Sequence, residues 1–189
     1  LSSAKKCIEL SEKYPFIYTA LGVHPHECSD AAEDELDQIE KLLSHNKCVA
    51  VGEIGLDYHY DFSPRELQLD FFEKQLILAN KYNLPVIVHD REAHADTMDL
   101  LKKYKPKGVV HCFSGSVETA KEVVALGMYI GLGGTVTFKN AKKPLEVAAF
   151  VPDEMLLLET DCPYMSPVPF RGKRNDSTLI PYTAQTIAQ

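Results

Sequence analysis

Four apolar runs, each closing on a carboxylate or an imidazole, constrain this chain more than any other feature. Residues 49–57 read V-A-V-G-E-I-G-L-D, a buried-strand pattern in which Glu53 sits between Gly52 and Gly55. Residues 84–90 (L-P-V-I-V-H-D) end at His89, residues 108–115 (G-V-V-H-C-F-S-G) carry His111, and residues 155–163 (M-L-L-L-E-T-D-C-P) end at Asp161. Runs this uniformly apolar suit strands buried on both faces, as parallel strands are when helices cover them. A polar residue closing such a run stands at the rim of whatever the strands line. Two imidazoles and two carboxylates at four such rims make a donor set for divalent metal ions.

Helical patterns fill the intervals. Residues 1–14, 33–45 (Leu36, Ile39, Leu42 and Leu43 on one stripe), 93–104 and 116–126 read as helices, the last ended by Gly127. Ser63-Pro64-Arg65-Glu66 reads as a capping box with proline at the first helical position, opening a helix that buries Leu69, Phe72, Leu76 and Ala79. A short helix over 144–150 and another beginning at Ser177 complete the set. Further strands are expected at 16–23 and 128–138, giving six in all.

Strands alternating with helices predict an α/β fold with a parallel sheet. Donors at the C-terminal ends of several strands favour a TIM (β/α)8-type barrel over an open sheet. That barrel has eight strands and typically ~250 residues, so a chain of 189 residues is expected to hold about six of them. With no linker, repeat or composition break, residues 1–189 read as a single domain.

Charge and cysteine usage exclude several classes. A net charge of −7 argues against a broad basic face for gripping nucleic acid. Any phosphate-bearing partner would be held locally, by metal ions and a few arginines. No apolar run approaches the ~20 residues of a membrane helix, and residues 1–13 are too charged for a signal peptide. Five scattered cysteines without a C-x-x-C pair predict a reduced, cytoplasmic chain with neither a membrane nor a disulfide-linked partner.

Each candidate has a plainer reading. Glu53 alone reads more readily as a rim acid paired with lysine, and a lone His89 as a hydrogen-bonded core residue. Repetition at four strand ends favours ligation by Glu53, His89, His111 and Asp161. Asp161 could also take the proton of a metal-bound water, whose pKa a metal brings toward neutrality. Glu159, two residues earlier, is a weaker candidate. Strand alternation turns Cys112 away from His111, toward packing. In His24-Pro25-His26 the proline takes the chain out of the strand, so these residues are expected near substrate rather than on metal. Arg91, Arg171 and Arg174 offer guanidinium forks for phosphate, and Ser114 could donate a hydrogen bond to substrate.

Taken together, G-V-H-P-H, G-E-I-G-L-D, P-V-I-V-H-D-R-E-A, H-C-F-S-G-S and L-E-T-D-C-P, in this order, resemble the TatD family of metal-dependent deoxyribonucleases. The resemblance implies an amidohydrolase-type TIM barrel with two divalent ions (Zn, Mn or Mg) per complete site, hydrolysing phosphodiester bonds in DNA as a 3′ exonuclease or general DNase. It implies Glu53, His89, His111 and Asp161 as ligands, Asp161 and Glu53 as catalytic, and His24 and Arg91 facing substrate. Family members begin with a strand bearing D-x-H-x-H, which residues 1–189 do not contain. The first strands and the end of the last helix are therefore expected to be missing here. Two other readings stay open: an amidohydrolase-type esterase or phosphotriesterase, and a barrel without catalysis that serves as a binding module. The lysine ligand of the phosphotriesterase class has no counterpart at Glu53.

Overall fold

A computed structural model describes residues 1–189. The backbone divides into two compact units, Leu1–Gly108 and Val109–Gln189. The first runs α1 (Ser2–Lys13), β1 (Thr19–Leu21), a 3-10 turn at Pro25–Glu27, α2 (Glu35–Leu42), β2 (Cys48–Asp57), α3 (Arg65–Tyr82), β3 (Val86–Arg91) and α4 (His94–Tyr104). β1 pairs with β2, and β2 with β3, all in parallel.

β2 is the spine of this unit. Val51, Ile54 and Leu56 are fully buried, and on α3 so are Phe72, Leu76 and Ala79. Each large apolar side chain removed from water in this way contributes about 1.5–3 kcal/mol. Gly55 lets β2 approach β3 closely: it adopts φ +141, and a Cβ there would lie 1.9 Å from the His89 carbonyl oxygen. The close approach sits between Glu53 and Asp57, beside His89.

The capping box expected at Ser63 does not form. α3 begins without a side-chain cap, and Ser63 turns instead to the 3-10 segment, donating to the His26 carbonyl (3.2 Å) and accepting from the Ser29 N–H (3.0 Å). The apolar stripe of α3 also differs from expectation. Gln68 and Gln75 share its buried face, and Leu69 is only half-buried.

The second unit carries β4 (Gly108–Val110), α5 (Val117–Ala125), β5 (Tyr129–Leu132), α6 (Lys142–Phe150), β6 (Leu156–Leu158) and α7 (Ile180–Ile187). β4 pairs with β5 and β5 with β6, again in parallel. Ser116 caps α5, accepting from the Thr119 N–H at 3.2 Å, and Gly127 follows the helix at φ +77. The strand expected over 128–138 stops at Leu132, and Gly134–Thr137 coil into a 3-10 turn. A Cβ on Gly134 would lie 2.3 Å from the Met165 carbonyl oxygen, so the chain from Pro163 onward occupies the room a longer strand would need. All five thiols are free, and no helix is long and apolar enough to cross a membrane.

Candidate metal centre

In the first unit three donors converge, His24 just past β1, Glu53 within β2 and His89 within β3. The Glu53 carboxylate oxygen Oε1 lies 2.9 Å from His89 Nδ1 and 3.4 Å from His24 Nε2. One ligand atom from each lies within 4.8 Å of the others. Donors bound at ~2.1 Å to a first-row ion sit roughly 3–3.5 Å apart around it, so two imidazoles and a carboxylate at these spacings fit a Zn²⁺- or Mn²⁺-type ion. The three side chains are 18–34% exposed, open enough for a substrate to reach. A cavity of about 210 Å³ runs from His24 and Glu53 to Ala4 and Cys7 of α1.

Behind them stands Asp57, fully buried. Its Oδ2 accepts from His26 Nε2 (2.8 Å) and His89 Nε2 (3.0 Å). Its Oδ1 accepts the backbone N–H groups of His59 (3.0 Å) and Tyr60 (2.8 Å). Burial raises its carboxyl pKa, but the Tyr60 N–H and the two imidazoles together outweigh burial and bring it down to about 2. A carboxylate ionised at every working pH therefore holds the Nε2 hydrogen of His89. Nδ1 on the other side of the ring faces Glu53; carboxylate–histidine pairs orient metal ligands in this way.

Two glutamines of α3 fix the strand ends. Gln75 Oε1 accepts from the Val23 N–H (2.6 Å) and its Nε2 donates to the Val23 carbonyl (3.1 Å), one residue before His24. Gln68 Oε1 accepts from the Asp57 N–H (2.8 Å), while its Nε2 donates to the carbonyls of Asp57 (3.2 Å) and Ser63 (2.8 Å). Both are sealed from water. Buried amides would be costly unpaired, and here each is spent on the backbone next to a site residue.

In the second unit His111 and Glu159 meet. His111 Nδ1 lies 3.2 Å from Glu159 Oε2, and the Cys112 N–H donates to Glu159 Oε1. Gly131 makes room: a Cβ there would come within 3.1 Å of both Glu159 Oε1 and the His111 Cα. Glu159, the weaker candidate in E-T-D-C-P, thus lies beside His111. Asp161 follows two residues on, half-exposed, its carbonyl accepting from the Tyr164 N–H at 2.7 Å. Cys112 departs from the alternation expected of it, because β4 already ends at Val110 and Cys112 adopts φ 44. Ser114 and Arg174 are exposed. The Arg171 guanidinium lies 3.7 Å from the centroid of the Phe138 ring, and Arg91 lies 4.7 Å from that of Tyr60.

The model of the family described as TatD related DNase matches residues 1–189. The chain belongs to the TatD family. It is 46% identical to the uncharacterized metal-dependent hydrolase YabD of Bacillus subtilis over 187 residues, 97% of this chain and 73% of that protein. With the uncharacterized metal-dependent hydrolase YjjV of Escherichia coli it shares 42% identity over 174 residues, 90% of this chain and 67% of that one. Among solved structures it resembles the TatD homologue YjjV of Escherichia coli (TM-score 0.92, 39% identity, 97% of this chain, 73% of that chain). It also resembles a hydrolase TatD family protein of Entamoeba histolytica (TM-score 0.86, 32% identity, 100% of this chain, 74% of that chain). The fold is thus α/β of the TIM-barrel type found in TatD proteins, with six parallel strands present, and the chain is a metal-dependent hydrolase of that family.

Asp57 escaped the sequence reading although it closes G-E-I-G-L-D. The signal was its place at the close of the apolar run that carries Glu53. His26 was read as a loop residue near substrate, and its bond to Asp57 could not be seen without the fold.

Proposed function

We propose that this TatD-family chain carries the chemistry of a metal-dependent nuclease that hydrolyses phosphodiester bonds in DNA. Glu53, His89, His111 and Asp161 act as ligands, and Asp161 is also the base for the attacking water. The observation that supports this most is the His24–Glu53–His89 group: donors at ligand spacing, open to solvent, with a buried carboxylate fixing one imidazole. Divalent cations, two per complete site, would supply Lewis-acid stabilisation of phosphoryl oxygens and a water of lowered pKa.

The chain's own groups do the rest. Asp57 holds the His89 ring with its Nδ1 edge toward Glu53. Asp161 accepts the proton that the attacking water loses, and Glu159 orients His111 by its bond to Nδ1. His24, expected near substrate, joins Glu53 and His89 in the donor group instead, and Arg91, Ser114 and Arg174 orient the substrate, the guanidinium groups matching phosphate oxygens. The mixed nitrogen and oxygen donors favour Zn²⁺ or Mn²⁺ over Mg²⁺, which prefers oxygen alone.

Cleavage of end-labelled single- and double-stranded DNA, with each of the three ions, tests the reading. Activity that disappears in Glu53→Ala and His89→Ala, with calorimetric metal binding weakened in both, is the expected outcome. Equal cleavage rates for wild type and Glu53→Ala would remove Glu53 from the reaction. A wild type that cleaves no DNA with any ion would end the nuclease reading.

A further inference from the structure

Just past Asp57 the chain leaves β2 and holds two large rings in solvent. Tyr60 is 48% and Phe62 64% exposed. The two rings stack on each other, centroids 5.3 Å apart and planes 20° from parallel. Asp61 between them adopts φ 55, a left-handed conformation that aspartate tolerates better than most residues. Its carboxylate accepts from Arg65 Nε at 3.3 Å. From beneath, the two backbone bonds to Asp57 Oδ1 fasten His59 and Tyr60. Aromatic surface left in water gives up the stabilisation that burial would supply, yet this turn is braced to keep it there.

The rings also adjoin the candidate metal donors. His26 meets Phe62 edge-on at 4.9 Å and Tyr60 at 5.5 Å, and its centroid is 6.0 Å from that of His89. One imidazole therefore separates the aromatic pair from His89. Arg91, at the end of β3, sets its guanidinium over the Tyr60 ring.

We infer that Tyr60 and Phe62 form a stacking platform for an unpaired base of single-stranded DNA, with the adjoining phosphate at the His24–Glu53–His89 group. The inference rests on the phosphodiester reading above and adds what the site recognises. A chain of net charge −7 gains little from counterion release along a phosphate backbone. Its hold on DNA has to come from another source, and stacking on aromatic rings is one that ignores base identity. Bases in a duplex already have both faces covered, so such a platform selects single strands and frayed ends. Arg91 beside the rings complements a phosphate rather than an apolar peptide.

A thymidylate hexamer is the probe, with a tetrahydrofuran abasic residue placed at each position in turn and, separately, one 2-aminopurine as reporter. Binding is measured in EDTA and cleavage with Zn²⁺, Mn²⁺ and Mg²⁺. Wild type is expected to bind the intact hexamer about 10- to 100-fold more tightly than the one lacking the stacked base, and to quench 2-aminopurine there. Phe62→Ala and Tyr60→Ala should bring that ratio toward one, and Phe62→Trp should keep it. Circular dichroism melting confirms that the exposed substitutions leave the fold intact. Equal binding of intact and abasic hexamers by wild type, no binding of either, or an unchanged ratio in Phe62→Ala would overturn the platform. Base-dependent binding without cleavage under any ion would leave the platform standing and sink the hydrolytic reading. Cleavage indifferent to the missing base would do the reverse.

Discussion

Replacing Asp57 by asparagine removes one charge from a fully buried position while keeping the shape of the side chain. The carboxyl titrates at about 2 in the folded chain against an ordinary 3.8. That depression corresponds to about 2.5 kcal/mol of folding stability. Because the folded value lies below the unfolded one, the contribution is complete above pH ~4 and drains away as pH falls toward 2. Asp57→Asn lacks it at every pH. The gap between the two proteins should therefore be about 2.5 kcal/mol at pH 5 and close progressively below pH 4. With a denaturant slope of ~2.5 kcal/mol per molar, that is roughly a 1 M drop in urea midpoint. Urea unfolding of both metal-free proteins, followed by circular dichroism at pH 5, 4, 3 and 2.5, makes the comparison. A gap of the same size at pH 2.5 as at pH 5 would show that the loss comes from packing or geometry. No gap at pH 5 would show that the four hydrogen bonds to Asp57 do not stabilise the charge.

Three further outcomes follow from the same contacts. Asp57→Asn should also bind Zn²⁺ about 10- to 100-fold more weakly in calorimetry, since His89 loses the carboxylate that orients its ring; unchanged affinity would assign Asp57 to folding alone. Gln75→Ala leaves both polar backbone groups of Val23 buried and unpaired, a cost of about 2–5 kcal/mol that thermal unfolding would reveal. Burial pushes the Cys28 thiol up to about 12 and raises Cys48 as well, whereas Cys162 is exposed. Mass spectrometry after brief alkylation at pH 8 should find Cys162 modified with Cys28 and Cys48 untouched, and early labelling of Cys28 would contradict its burial.

The strand ends could be read from the sequence because an apolar run that closes on an acid or imidazole has few other uses. His111 stands just past the end of β4, whereas β2 runs on from Glu53 to Asp57 and β3 from His89 to Arg91, and the helices between them fall within a few residues of their periodic patterns. What stayed hidden has physical causes. A helical stripe is counted in apolar residues, so Gln68 and Gln75 do not register on the buried face they occupy. Their partners are backbone groups far away in sequence, which no periodicity encodes. Ser63 offered a local cap, but the Ser29 N–H and the His26 carbonyl competed for its hydroxyl and won. Spacing alone could not tell that Glu159 would lie beside His111. That depended on the room left by Gly131 in the neighbouring strand.

Seven residues of one helix, about 10.5 Å, separate Gln68 from Gln75, so α3 serves as a gauge block laid across two strand ends. Insertions into the turn carrying Tyr60 and Phe62, or into the stretch after Cys28, can lengthen those loops without altering the interval it enforces. A kink in that helix, such as proline at Phe71, would move the backbone before His24 relative to Asp57 while leaving every reacting side chain in the sequence. The tolerance of this chain to change is thus decided by the helix packed on β2, through two buried amides that bond only backbone.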